Sequence, residues 1–377
     1  MSLTRSRTRL AALGLAAAGT VALAACGSDN TSSSSSSPAA GSSSSSTSST
    51  SGISCASGSL TSDGSTAQSN AMSAWIKAYQ AACSGAQVNY GGGGSGQGQT
   101  HFTDGTDDFA GSDYALDATD KPAADKRCNG SALDLPMTPG AIALGYNLPG
   151  VSTLKLSAAT IAKIFTGKIT SWNDPAIAAD NSGVTLPSTK ISTFHRSDGS
   201  GTSYNFSNYL TNDAASDWSY GANKQWPSAA GGQGEKGSSL VASNVKSTEG
   251  GIGYFEDSFA TQNTLPVAQV GDAAGNFVTL SNAAATKFLS TAKVSGTGDD
   301  LALTFDYSKG SAAPDSYPNV LVTYEFVCAT GNKNAALLKG FLGYTAGSGQ
   351  GILAANGYVP LPSSIQTQVQ GVVAKLS

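Results

Sequence analysis

Three times in this chain a Gly/Ser/Thr loop opens into a stretch with helical periodicity. The fullest case is His195-Arg196-Ser197-Asp198-Gly199-Ser200-Gly201-Thr202-Ser203. It follows a strand-like run at 191–194 and precedes Tyr204, Phe206, Tyr209 and Leu210 at helical spacing. A second loop, 64–67, follows a short strand at 57–60 and leads to Met72, Trp75, Ile76 and Tyr79. A third, 94–98, follows Val88-Asn89-Tyr90 and a run of four glycines, Gly91 to Gly94, with a helix expected over 99–106. Strands and helices that alternate in this way make an α/β fold. The loops also have a common chemistry. A helix start exposes unpaired N–H groups at the positive end of a dipole, so it attracts anions. Glycine lets the backbone come close, and Ser and Thr add neutral donors. Arg196 brings a planar fork suited to a tetrahedral oxyanion, Asp198 can hold that fork, and Ser200 or Thr202 can cap the helix.

The rest of the chain continues the alternation. An apolar strand is expected over 137–148, with a return strand over 321–328, and these two read as crossings between domains. Helices are expected over 157–165, capped by Ser157, after Pro175, and over 237–245, 281–289, 335–344 and 365–376. Glu249-Gly250-Gly251-Ile252-Gly253-Tyr254-Phe255 reads as a turn into a strand, and Asp108-Phe109-Ala110 as a strand end that delivers Asp113.

Only 12% of the 377 residues are charged, and the net charge of -4 argues against nucleic acid as a partner. An anion site here therefore works through local donors and not through a broad positive field. Arg5, Arg7 and Arg9 ahead of an apolar run to Ala22, then Leu23-Ala24-Ala25-Cys26, read as a lipoprotein export signal over 1–25 with Cys26 as the lipidation site. Residues 26–52, rich in Ser, read as a disordered tether. The four other cysteines suit the oxidising compartment that export implies. They allow three pairings, of which we expect Cys55–Cys83 and Cys128–Cys328. Their spacing fits no zinc pattern, and His101 and His195 are the only histidines, so no metal or other cofactor is expected.

Gly91, Gly93 and Gly96 with Asp113 also satisfy the dinucleotide fingerprint, but four successive glycines satisfy many templates, and an exported chain meets little free dinucleotide. A serine hydrolase has little support, because Ser95 and Ser200 lack the G-x-S-x-G elbow. Asp113 discriminates among oxyanions. A carboxylate repels an anion unless the anion has a proton to give, which phosphate has at neutral pH and sulfate has not.

With these residues in view, the chain resembles the phosphate-binding proteins of bacterial Pst-type ABC importers from about residue 57 to its end. The resemblance lies in Ile164-Phe165-Thr166-Gly167-Lys168-Ile169-Thr170-Ser171-Trp172-Asn173-Asp174-Pro175, in the 196–203 loop, in Gly250-Gly251-Ile252-Gly253-Tyr254, and in Asp108-Phe109-Ala110-Gly111-Ser112-Asp113. It implies a two-domain type II periplasmic-binding-protein fold with the ligand cleft between domain I, 53–143 and 322–377, and domain II, 144–321. It implies a phosphate site made by Thr66, Ala67 through its N–H, Ser95, Asp113 as proton acceptor, Arg196, Asp198, Ser200, Gly201 and Thr202. It further implies a non-enzymatic, monomeric receptor, held outside the cell membrane by its lipid, that hands inorganic phosphate to transmembrane permease subunits. Trp172-Asn173-Asp174 is expected to be structural.

Overall fold

The computed structural model describes residues 52–377, apart from 273, 311, 312 and the side chain of residue 309. The export signal, Cys26 and nearly all of the tether lie outside the described residues. In chain order the first half runs β1 (Gly58–Gly64), α1 (Ser69–Ala82), β2 (Ala86–Gly91), α2 (Ser95–Asp104), β3 (Phe109–Ser112), α3 (Lys121–Cys128) and β4 (Ala132–Asn147). Next come β5 (Lys155–Leu156), α4 (Ala158–Phe165), α5 (Pro175–Asp180), β6 (Ser192–Arg196), α6 (Gly201–Asp213), β7 (Gln233–Glu235), α7 (Gly237–Ser247), β8 (Gly251–Glu256) and α8 (Asp257–Asn263). The chain closes with β9 (Gln269–Gly271), β10 (Phe277–Val278), α9 (Asn282–Leu289), β11 (Lys293–Val294), β12 (Leu303–Thr304), α10 (Tyr307–Gly310), β13 (Val320–Cys328), α11 (Ala335–Ala346) and α12 (Ser363–Val373).

One eight-stranded sheet in the order β2-β1-β3-β13-β4-β8-β6-β7 organises these elements. At one end β2, β1 and β3 are parallel, and at the other β8, β6 and β7 are parallel. The antiparallel pair β4 and β13 joins the two trios. β4 pairs with β13 over 132–141, then with β8 over 142–147. These are the two strands read from sequence as crossings. β4 starts five residues earlier than expected, because Pro136 and Pro139 are admitted where its ladder with β13 slips, between Thr323 and Tyr324. Both strands are buried almost throughout, which is why they read as continuous apolar runs.

The caps follow the expected chemistry. Ser157 Oγ accepts the Thr160 N–H at 3.2 Å, and Asp174 Oδ1 accepts the Ala176 N–H at 2.8 Å ahead of Pro175. Trp172 is fully buried and donates through Nε1 to Gly250 O at 3.1 Å, a structural role. Both expected disulfides form, Cys55–Cys83 and Cys128–Cys328. One boundary needs correction. Residues 94–98 are not a loop before a helix at 99, because α2 already begins at Ser95. Gly94, at φ +98°, makes the turn, while Gly96 and Gly98 lie inside the helix. Their low helix propensity is overridden because Cβ atoms there would press on Gly199 and Gly64.

Candidate anion site

Both parallel trios end at the same place, so six strand ends supply the site. β1 runs out at Gly64 and the chain turns through Ser65-Thr66-Ala67. β2 leads through Gly92-Gly93-Gly94 into α2, whose first residue is Ser95, and β3 delivers Asp113. From the other trio, β6 ends on Arg196, with Asp198 in the next loop and Gly201-Thr202 at the start of α6. β7 leads through Lys236 to Gly237-Ser238 at the start of α7, and β8 ends on Glu256. The carboxyl ends of strands are where open α/β sheets bind ligands.

The loops from the two trios touch. Gly96 N donates to Gly199 O at 2.8 Å, and Gly201 N donates to Ser95 Oγ at 3.2 Å. A side chain on Gly94 would strike Asp198, and one on Gly201 would strike Asp113. Only glycine permits this approach.

Asp113 is 3% exposed and collects hydroxyls. Its Oδ1 accepts from Ser65 at 2.5 Å and from Thr323 at 2.7 Å, while Oδ2 accepts from Ser95 at a long 3.2 Å. Oδ1 is thus saturated, and Oδ2 keeps room for a further donor. Burial pushes this carboxyl above its ordinary pKa, against the pull of the Ser65, Thr323 and Ser95 hydroxyls and the Arg196 charge. Ser95 is itself fixed, since its oxygen also accepts the N–H of Asp113 at 3.2 Å.

Arg196 is 1% exposed. Nε and Nη2 donate to Asp198 Oδ1 at 2.8 Å and Oδ2 at 2.5 Å, a bidentate pair. Burial works against the guanidinium charge, but Asp198 more than offsets it, so its pKa sits above the usual value. Asp198 is opposed by burial in turn, and Arg196 holds it below the ordinary carboxylate value. The remaining nitrogen, Nη1, donates to Ser238 Oγ at 3.0 Å and Thr202 Oγ1 at 3.3 Å. Thr66 Oγ1 lies 3.2 Å from Ser238 Oγ and accepts the Ser238 N–H at 3.3 Å, linking the β1 loop to α7. Thr202 Oγ1 also lies 2.8 Å from Glu256 Oε1.

The structure therefore brings together two hydrogen-bonded sets, Thr66, Arg196, Asp198 and Thr202 with Ser238, and Ser95 with Asp113 and Gly201, which adjoin where Gly201 precedes Thr202, as one network. Ala67 and Ser200 sit beside it with internal partners. The Ala67 N–H donates to Ser65 Oγ at 3.0 Å, and Ser200 Oγ caps α6 by accepting the Ser203 N–H at 3.2 Å. His195 lies outside the network, stacked on Trp226 with ring centroids 5.1 Å apart. Sequence reasoning missed Ser65, Ser238, Glu256 and Thr323. Lys236-Gly237-Ser238-Ser239 was legible as a fourth glycine-serine helix start. A threonine in β13, two residues before Glu325, and a glutamate at the end of the apolar strand β8 were the only other signals.

A PBP superfamily domain model matches residues 32–348. Phosphate-binding protein PstS 3 of Mycobacterium leprae is 41% identical over 364 residues, 95% of this chain and 96% of its own. Phosphate-binding protein PstS 2 of Mycobacterium tuberculosis is 41% identical over 97% of this chain and 98% of its own. Phosphate-binding protein PstS of Xylella fastidiosa is 35% identical over 79% of this chain and 80% of its own. Among solved structures, the phosphate-bound periplasmic protein PfluDING superposes with a TM-score of 0.67 at 20% identity, over 83% of this chain and 93% of that one. The phosphate-binding protein of Stenotrophomonas maltophilia does so with a TM-score of 0.64 at 19% identity, over the same shares of each chain. At these identities the structures attest the fold.

Proposed function

The chain belongs to the PstS family of phosphate-binding proteins within the PBP superfamily, and from that premise we propose that it captures inorganic phosphate outside the cell and delivers it to an ABC importer. One observation carries the reading for this chain. A buried arginine, fixed by its own carboxylate, faces the hydroxyls of Thr202 and Ser238, while a buried aspartate that keeps acceptor room on one oxygen faces Ser95 across the same meeting point of the two strand trios. That arrangement suits a small tetrahedral anion. Arg196 Nη1, Thr66, Thr202 and Ser238 supply donors, Ser95 turns its hydroxyl from Asp113 to the anion, and the Asp113 Oδ2 so freed accepts the proton of the anion. Gly201 lets α6 approach, Ser200 caps its first turn, Asp198 holds the guanidinium, and Ala67 is held at the head of α1.

The two lobes are proposed as 53–143 with 322–377, and 144–321. The switch of β4 from β13 to β8 near residue 141 supports that division. We further propose that Cys26 is lipidated, that residues 26–52 tether the receptor to the outer face of the membrane, and that it works as a monomer on the permease subunits. The protein is a binder and not a catalyst, as the names of its relatives also indicate.

Calorimetry at neutral pH is the test. Phosphate is expected to bind with a Kd of about 1 μM or tighter, roughly -8 kcal/mol. Native mass spectrometry should show a phosphate-sized adduct displaced by arsenate and not by sulfate. Absence of phosphate binding in both measurements would overturn the reading.

A further inference from the structure

We propose that Glu256 is a neutral carboxylic acid in the anion-loaded protein, and that by giving its proton to Thr202 it aims the Thr202 hydroxyl at the anion. The inference rests on the anion-binding reading above and assigns a positioning residue to that site. A count of protons carries it. Thr202 Oγ1 has two neighbours, Arg196 Nη1 at 3.3 Å and Glu256 Oε1 at 2.8 Å. A guanidinium only donates, so Thr202 accepts on that side. Beside an ionised Glu256, Thr202 would give its single proton to Oε1, and its oxygen would face the anion with lone pairs alone. Beside a protonated Glu256, Thr202 accepts from both neighbours, and its own O–H is released toward the anion.

Two further observations agree. Glu256 is fully buried, and its Oε2 has no hydrogen-bond partner among the described residues. A buried carboxylate with an orphaned oxygen is costly, whereas a neutral acid leaves only a carbonyl there. The network also holds three carboxyl groups, Asp113, Asp198 and Glu256, against one guanidinium, before any anion enters. Asp198 is matched by Arg196, and Asp113 is needed as acceptor, which leaves Glu256 as the group to carry a proton. The groups facing it are Asp113 after β3, Arg196 on β6, Thr202 on α6, Ser238 on α7 and Tyr358 near the C-terminus. Burial and then Asp113 push the Glu256 pKa up, while Arg196 and the two hydroxyls pull it down, with a net rise.

The test compares the parent with Glu256→Gln and Glu256→Leu in the full chain, by phosphate calorimetry from about pH 6 to 9. The Gln amide donates to Thr202 as the neutral acid does. E256Q should hold phosphate affinity within about threefold of the parent near pH 6, and any fall in parent affinity relative to E256Q at higher pH should mark ionisation of the parent acid. E256L has no donor and should lose about tenfold or more. In infrared difference spectra of the phosphate-loaded protein, a protonated carboxyl C=O band should be present in the parent and absent from E256Q. A larger loss in E256Q, or no such band, overturns the proposal, and E256Q alone decides the matter if E256L does not fold. A parent that binds no phosphate instead removes the anion-binding reading itself.

Discussion

Asp198 grips Arg196 with both carboxylate oxygens, at 2.8 Å from Nε and 2.5 Å from Nη2, so that only Nη1 faces the threonine and serine hydroxyls. The pair is two residues apart in sequence, and the loop between them supplies the geometry. Asp198→Asn keeps the shape but sets an amide against the guanidinium. Loss of one charge-assisted hydrogen bond, about 1.5–3 kcal/mol, should weaken phosphate binding about 10–100-fold by calorimetry. The acid limb of stability should change as well. Because the folded pKa of Asp198 is depressed, its stabilisation is present above the ordinary carboxylate pKa and is lost as pH falls through the folded value. The Asn variant should lack that acid loss in unfolding curves.

Selectivity should reside in Asp113. Its Oδ1 is occupied by Ser65 and Thr323, so Oδ2 is the atom that meets a protonated anion oxygen. Asp113→Asn offers an amide that can donate to sulfate. Competition calorimetry should show the preference for phosphate over sulfate narrowing by about 10–100-fold, the scale of one repelled buried acceptor. Equal selectivity in the variant and parent would count against the role given to this carboxyl.

Much of this was legible before any coordinates. The three loops stood out because glycine and hydroxyl residues are concentrated where a strand meets a helix, whereas the individual roles of Thr66 and Ser95 came from the family resemblance. The ends of α2 were misplaced because glycine at 96 and 98 argues against a helix locally, and only close packing on Gly199 and Gly64 explains it. Ser65 and Thr323 were invisible because nothing local marks a hydroxyl that meets Asp113 from 48 or 210 positions away. β5 and β9 to β12, each two or three residues long, are too short for periodicity to register.

Ser238 belongs to that missed group and makes a sharp test. It accepts from Arg196 Nη1 at 3.0 Å and contacts Thr66 Oγ1 at 3.2 Å, joining residues from opposite trios. Ser238→Ala leaves Nη1 with Thr202 alone and frees Thr66. Phosphate affinity should fall by about 5–30-fold, the worth of one or two buried hydrogen bonds, and the same lost bonds should lower the unfolding temperature of the ligand-free protein.

The disulfides should differ in their effect on stability. Cys128–Cys328 spans 200 positions and ties the end of α3 to the end of β13, whereas Cys55–Cys83 spans 28. The chain-entropy relation gives about 5 kcal/mol for the longer loop and about 4 for the shorter. Replacing Cys128 and Cys328 by Ser should therefore lower the denaturant midpoint more than replacing Cys55 and Cys83. The opposite order would show that local strand-to-helix closure outweighs the crossing strand.

Glu325 on β13 predicts a pH dependence of stability in the ligand-free protein. It is fully buried, both carboxylate oxygens lack a close hydrogen-bond partner among the described residues, and burial, against the pull of Gln68, pushes its pKa up from 4.5 to about 8. Between those values the folded protein holds a proton that the unfolded chain releases. Stability therefore falls as pH rises through that window and levels off above the folded value. The span corresponds to roughly 3–5 kcal/mol. Glu325→Gln removes the titration and keeps the volume. Urea unfolding at about pH 4 and about pH 9, on either side of that window, should show E325Q losing less stability than the parent between the two, with the gain largest at the alkaline end. Parallel pH profiles for parent and variant would mean that Glu325 is ionised in the fold or finds a partner when it titrates.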